Sequence, residues 1–319
     1  MNAGQPRLLR AIPFFLALAW GLNWPSVKIA LSAFSPFMLR MIGLGSGALL
    51  LLLIAAVLRK RLMPQKGSWT GVLVGGFLAV AVFNVSTAFA QLNTTTSRAT
   101  VLTFTMPMMS ALLSWSVMGE QLDRRKIVAL AVGMIGILVL AWPVLESVAH
   151  IHDARAIKGL VFPLIAAFGW AAGTVYLQRW PVKGERMVFT AWQLLVGAAC
   201  GAIGALIFGE QLPAEVPGIK VWIAMFLHIV PGTAIAYWLW FVMSERMSAT
   251  VSSMTTLMVP VVGVSSAMLL VGDRPSALDW CGFAFVLAGA AMIVLKLDVT
   301  QAGAAHATQR TAHLDRSGD

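Results

Sequence analysis

Ten runs of apolar residues, each long enough to cross a bilayer as a helix, dominate this 319-residue sequence and leave few other folds open to it. A spanning helix takes roughly 17–25 predominantly apolar residues. Runs of that kind lie near 11–32, 36–57, 68–91, 97–118, 126–145, 159–178, 187–208, 219–241, 249–271 and 278–296. Hydrophobic residues make up 59% of the chain and charged residues 11%, with a mean hydropathy of +0.81. A soluble domain carries about 25% charged residues, so this chain lacks the polar side chains to cover a water-facing surface. Arg7 and Arg10 precede the first run. That run is ~20 residues long with no clear small-residue cleavage site, so it reads as a span and not as a signal peptide. The expectation is an all-α integral membrane protein with ten transmembrane helices. The segments 146–158 and 209–218 read as its two longer loops, and 298–319, rich in Ala, Gln and Thr, as a disordered cytoplasmic tail.

The net charge of +10 invites a nucleic-acid reading, but its distribution points to membrane orientation. With the N-terminus in the cytoplasm, sixteen Lys and Arg fall on the cytoplasmic side, including Arg59–Arg61, Arg124–Lys126 and Lys183–Arg186. Five fall on the other side, and Lys28 and Arg40 lie within runs. Cytoplasmic loops carry the excess of positive charge, so both termini are expected inside. Cys200 and Cys281 sit in apolar runs, which suggests neither a disulfide nor a thiolate metal site.

The sequence repeats itself. Pro13 and Trp20 recur as Pro163 and Trp170, an offset of 150; Pro107, Gly119, Glu120 and Gly136 recur as Pro260, Gly272, Asp273 and Gly289, an offset of 153. Two five-helix halves, 1–150 and 151–297, are expected. Since five is odd, the second half enters the membrane upside down relative to the first. Inverted repeats of this kind build secondary transporters, with the ligand site near the midplane between the halves.

WGLNWPSVK at 20–28, GTAIAYWLWFVMSERMSAT at 232–250 and the two segments ending in GEQL and GDRP resemble the EamA-domain branch of the drug/metabolite transporter superfamily. The resemblance runs from about 11 to 296. It implies a multi-pass bacterial inner-membrane carrier of small metabolites, in many cases an exporter of amino acids or related compounds. Gly173 stands where the first half has Asn23, so the polar lining is expected to be asymmetric.

Candidate cavity residues follow from helical spacing. Trp20, Trp24 and Lys28 are four apart and share a face, with Asn23 beside them near the middle of the first run. Pro25 frees the carbonyl one turn back, near Gly21, and such a group is tolerated only against protein or in a wet cavity. The matching face of the sixth run carries Trp170, Thr174 and Gln178. Asn84, Thr87 and Gln91 form a polar stripe on the third run, answered in the eighth by Thr233, Tyr237 and Trp240. Plainer readings stand beside these: Asn as interhelical glue, Trp as an interface residue, Lys28 snorkelling outward. Pro25, Pro107 and Pro260 are candidate flex points, or static kinks. His228 reads as a satisfied structural residue, Glu120 and Asp273 as helix-end stabilisers, and Gly71/Gly75 and Gly197/Gly201 as close packing sites. His150, His152 and Asp153 lack the pattern of a metal site, and no metal or cofactor is expected.

No Asp or Glu lies deep in any run, which argues against proton-coupled export of hydrophobic cations. Lys28, Arg40 and Arg98 lean toward the outer side and suit a carboxylate. The expected function is alternating-access export of an amino acid or related zwitterionic or anionic metabolite through a central cavity. A lipid-linked carrier or flippase, or an exporter of drugs and other amphipathic compounds, is the alternative. An enzyme is disfavoured because no nucleophile–base or metal constellation converges within the runs. The expected partners are a small-molecule substrate and the lipid bilayer, with no nucleic acid; the oligomeric state is left open, a monomer being plausible.

Overall fold

The computed structural model describes residues 7–151, 154–181, 183–240 and 249–294. All regular structure among them is helical: α1 Arg7–Ala30, α2 Pro36–Val57, α3 Trp69–Asn93, α4 Thr96–Met118, α5 Arg124–Ile151, α6 Ala154–Arg179, α7 Arg186–Ile207, α8 Ile219–Trp240, α9 Ala249–Leu270 and α10 Ala277–Val294. Eight are long and apolar enough to cross a membrane: α2, α3, α4, α5 (over Arg124–Pro143), α6, α7, α8 and α10. In α9 the described side chains form the apolar stretch Thr255–Leu270. In α1, Trp20, Asn23, Trp24, Lys28 and two prolines dilute the hydropathy, and it is not among the eight.

The outward faces are apolar: Leu49, Leu53, Val57, Phe77, Leu206, Ile207 and Leu269 are all more than half exposed. A lipid-facing surface accounts for that where water would not. Between helices, lipid gives no hydrophobic drive, so contact relies on small residues that let backbones approach. A Cβ on Gly136 of α5 would lie 2.6 Å from the Val286 nitrogen of α10, and one on Gly289 of α10 would lie 2.8 Å from the Ala129 carbonyl of α5. Gly201 meets the backbone of Met41 and Gly197 the side chain of Val80, which gives that pair its packing role.

The principal pairings are α1 with α8 and α9, α6 with α3 and α4, α2 with α7, α3 with α7, and α5 with α10. Two helices widen locally into π turns, α3 at Gly76–Val82 and α8 at Val230–Ile235. α4 breaks at Phe104–Thr105 and resumes at Met106, with Pro107 in the first turn where its missing N–H costs nothing. Its counterpart Pro260 lies inside an unbroken α9.

The loop expected at 146–158 is corrected. α5 continues to Ile151 and α6 starts at Ala154. The segment is polar but contains Ala, Glu, Arg and Lys and no Gly or Pro, so it keeps helix propensity after it loses hydropathy. The other loop, 209–218, holds no helix. The segment 298–319 and the His152 and Asp153 positions lie outside the described residues.

Candidate functional site

A cavity of about 140 Å³ opens among α1, α2, α3, α4, α6, α8 and α9, well above the ~10–15 Å³ that one water needs. α1 lays Trp20, Asn23 and Trp24 on its wall, and α3 lays Asn84, Thr87 and Gln91. Trp170 of α6 and Tyr237 and Trp240 of α8 close the aromatic side. Trp20 meets Tyr237 edge to face at 6.0 Å and Trp240 at 5.4 Å, and Phe83 meets Trp170 at 5.0 Å.

Three of the residues expected there lie elsewhere. Thr174 and Gln178 line a second cavity of about 520 Å³ with Lys183 and Arg186, which shares Trp170, Tyr237 and Trp240 with the first. From Trp170 to Gln178 is eight residues, about 12 Å of helix, so one face spans both cavities. Lys28 leaves the cavity wall, and its Nζ donates to the Gln91 carbonyl. The carbonyl freed by Pro25 faces protein: Gly21 O accepts from Ser266 Oγ of α9 at 3.4 Å. In the next position Ser26 Oγ donates to Leu22 O at 2.8 Å.

The polar wall is organised by a residue that sequence reasoning did not place in the site. Arg40 of α2 is 2% exposed and lines the cavity. Its Nε donates to Asn84 O at 2.7 Å and its Nη2 to Thr87 Oγ1 at 3.1 Å. Thr87 Oγ1 in turn donates to Asn84 O at 2.9 Å, and the Asn84 amide to Val80 O at 2.9 Å, inside the π turn. Nη1 has no partner among the described residues. Arg40 lies in the second turn of α2, where an Arg costs less than at a helix centre, about 2.5–3.5 kcal/mol on insertion scales. A buried donor left unmatched adds about 1–3 kcal/mol. The available signal was a lone cation inside the 36–57 run, read as leaning outward and suiting a carboxylate but not as part of the cavity wall.

His228 differs from a fully satisfied residue. It is 1% exposed, its Nδ1 lies 2.7 Å from Asn23 Oδ1, and its Nε2 has no partner among the described residues. Asn23 therefore both lines the cavity and joins α1 to α8. Gly43 of α2 lies against the imidazole ring.

At one end of the helix bundle, side chains tie helix ends together. Asp273 accepts from Ser97 N at 2.7 Å and Ser97 Oγ at 2.9 Å, capping the start of α4, and Arg98 pairs with Asp279 at the start of α10. Glu210 accepts from Met38 N at 2.8 Å on the same side. Glu120 pairs with Lys126 at 3.3 Å, at the opposite end. That end carries a cavity bordered by Arg59, Lys60, Arg61, Lys183 and Arg186, with Glu185 paired to Lys60 at 3.0 Å. Among the described residues no three His, Cys, Asp or Glu side chains group as a metal site, and Cys200 and Cys281 are unpaired.

The sequence profile of the EamA-like transporter family matches residues 11–142 and again 157–295. Protein PecM of Dickeya dadantii is 26% identical over 295 residues, covering 90% of this chain and 92% of its own. A probable amino-acid metabolite efflux pump of Escherichia coli K12 is 24% identical over 288 residues, covering 87% and 92%. The uncharacterized inner membrane transporter YedA of the same strain is 23% identical over 282 residues, covering 88% and 89%. A crystal structure at 20% identity covers 90% of this chain and 98% of its own with a TM-score of 0.61, a likeness of fold alone. With both halves of the chain matched to one transporter profile, the protein belongs to the EamA-like transporter family.

Proposed function

We propose that this chain is a ten-span carrier, built as two inverted five-helix repeats at 1–150 and 151–297, that exports an amino acid or a related zwitterionic or anionic metabolite across the bacterial inner membrane. The observation that carries the reading is the central cavity. It draws walls from both halves, is tied off at one end by Asp273–Ser97 and Arg98–Asp279, and joins a second cavity toward the other. That is the form of a carrier resting open to one side.

The repeat reading is supported by details that recur at the two offsets seen in the sequence. After α2 and α7, Arg59 and Gly209 take left-handed φ values of 52° and 64°, and Lys60 N and Glu210 N bond back to Ala55 O and Ala205 O. After α4 and α9, Gly119 and Gly272 have φ of 71° and 73°, and Glu120 N and Asp273 N bond back to Ser114 O and Ala267 O. Advancing every helix by five carries the pairing α1–α9 into α6–α4 and α1–α8 into α6–α3, and maps α2–α7 and α5–α10 onto themselves.

With both termini cytoplasmic, the basic cavity at Arg59–Arg61 faces the cytoplasm, where an exporter loads. One copy supplies the whole cavity, so a monomer is the proposed working unit. The relative named as an amino-acid metabolite efflux pump favours the substrate class, and YedA, named as an inner membrane transporter, favours the location. The test is counterflow in liposomes preloaded with single amino acids and organic acids. Saturable exchange, lost in Asn23→Ala and Tyr237→Ala, is expected. Exchange unaffected by both variants removes this cavity as the site, and no exchange of any such solute removes the substrate class.

A further inference from the structure

We propose that Arg40 is the carboxylate anchor of the central cavity, and that the cavity's ligand is an organic monocarboxylate with a flat aromatic body, for which an amino group is dispensable. This narrows the substrate class and rests on the carrier reading above.

The guanidinium is held from one side. Nε and Nη2 are committed to Asn84 O and Thr87 Oγ1, which fixes the plane of the group, while Nη1 has no partner among the described residues. Guanidinium is the cation best matched to a carboxylate, through charge-assisted N–H···O bonds in a planar fork. Among the described residues no Asp or Glu lines the cavity, so a ligand ammonium meets no counter-charge from them and shares the space with a buried cation. A single guanidinium with one uncommitted nitrogen matches a monoanion; a phosphate dianion calls for more positive charge than the described residues of this wall hold. Trp20, Trp24, Trp170, Tyr237 and Trp240 supply flat apolar surface for the rest of the molecule. The approach agrees in sign: Lys183 and Arg186 border the second cavity, and Arg59, Lys60 and Arg61 border the basic one beside it. Basic walls at a mouth concentrate anions.

The test is equilibrium binding to the purified full-length chain, read by tryptophan fluorescence, with four probes of one shape: 3-phenylpropanoate, its neutral amide, phenylalanine and 2-phenylethylamine. The acid is expected to bind roughly tenfold or more tighter than the amide, the margin of a buried charge-assisted bond. Phenylalanine binds no tighter than the acid, the amine does not bind, and inorganic phosphate does not compete. In Arg40→Met the acid-to-amide ratio falls to near one, while Arg40→Lys retains part of it. A purely structural Arg40 weakens all probes together and leaves the ratio unchanged. Equal binding of acid and amide by the native chain, an unchanged ratio in Arg40→Met, a strong preference for phenylalanine over the acid, or no binding of any probe each overturns the assignment. The native comparison decides even if Arg40→Met does not fold. Acid-selective binding without counterflow overturns the carrier reading alone; counterflow of solutes without acid selectivity overturns the anchor alone.

Discussion

Gly43 and His228 meet where α2 crosses α8, and Gln193 and Gly75 meet where α7 crosses α3. Offsets of 150 and 153 make these the same crossing in the two halves, with the large polar residue and the glycine exchanged. A Cβ at Gly43 would lie 2.7 Å from His228 Cδ2. Gly43→Ala is therefore expected to lower stability by about 1–3 kcal/mol, the usual cost of overpacking. Gly43→Ala combined with His228→Ala should recover part of that loss, measured as thermal unfolding in detergent. A second expectation concerns backbone alone. Gly119 and Gly272 sit at left-handed φ with open space around them, so alanine at either should cost about 1 kcal/mol through conformation and not through contact. At this scale the sequence was readable for residue types that repeat at helical spacing, as in Trp20, Asn23 and Trp24 or Asn84, Thr87 and Gln91. It was not readable for Arg40. Lys28 and Arg40 look alike in a hydropathy plot, each a lone cation in an apolar run. Only tertiary contact sends Lys28 to the Gln91 carbonyl and brings Arg40 onto the cavity wall.

Among the helices, apolar length located the eight that are long and apolar enough to cross a membrane, because backbone hydrogen bonds must close within each segment in lipid. What length cannot report is a change of helical pitch. The π turns of α3 and α8 lie in ordinary apolar sequence, GFLAVAV and VPGTAI, and the loop assigned to 146–158 failed because polarity and helix breaking are different properties. The break in α4 was marked by Pro107, whereas Pro260 leaves α9 continuous. The ties between α4, α9 and α10 yield an element-scale prediction. Asp279 accepts from Arg98, from Ser276 N at 2.9 Å and from Ser276 Oγ at 2.9 Å, so Asp279→Asn removes an ion pair and weakens the start of α10. The expected result is faster modification of a cavity cysteine from that end, by about tenfold if the pair contributes the ~1.4 kcal/mol that such a factor represents. An unchanged rate would mean that the pair stabilises α10 without holding the cavity closed.

For the molecule as a whole, the charge bias and the recurrence of Pro, Trp and Gly at two offsets suggested orientation and repeat before any coordinates. The repeated helix ends and the permuted helix pairings are what the proposed repeat calls for. The central claim is that the cavity is reached alternately from the two faces of the membrane. Val259 lines the cavity at 3% exposure, and cysteine nearly matches valine in size. The most direct measurement places Val259→Cys in a background with Cys200 and Cys281 replaced by Ser, and follows its reaction with a membrane-impermeant thiol reagent in right-side-out and inside-out vesicles. The account predicts modification from both faces, faster from the face that carries Arg59–Arg61, and slowed on both by a transported solute. Modification from one face only would contradict it, leaving a dead-end pocket in place of a carrier.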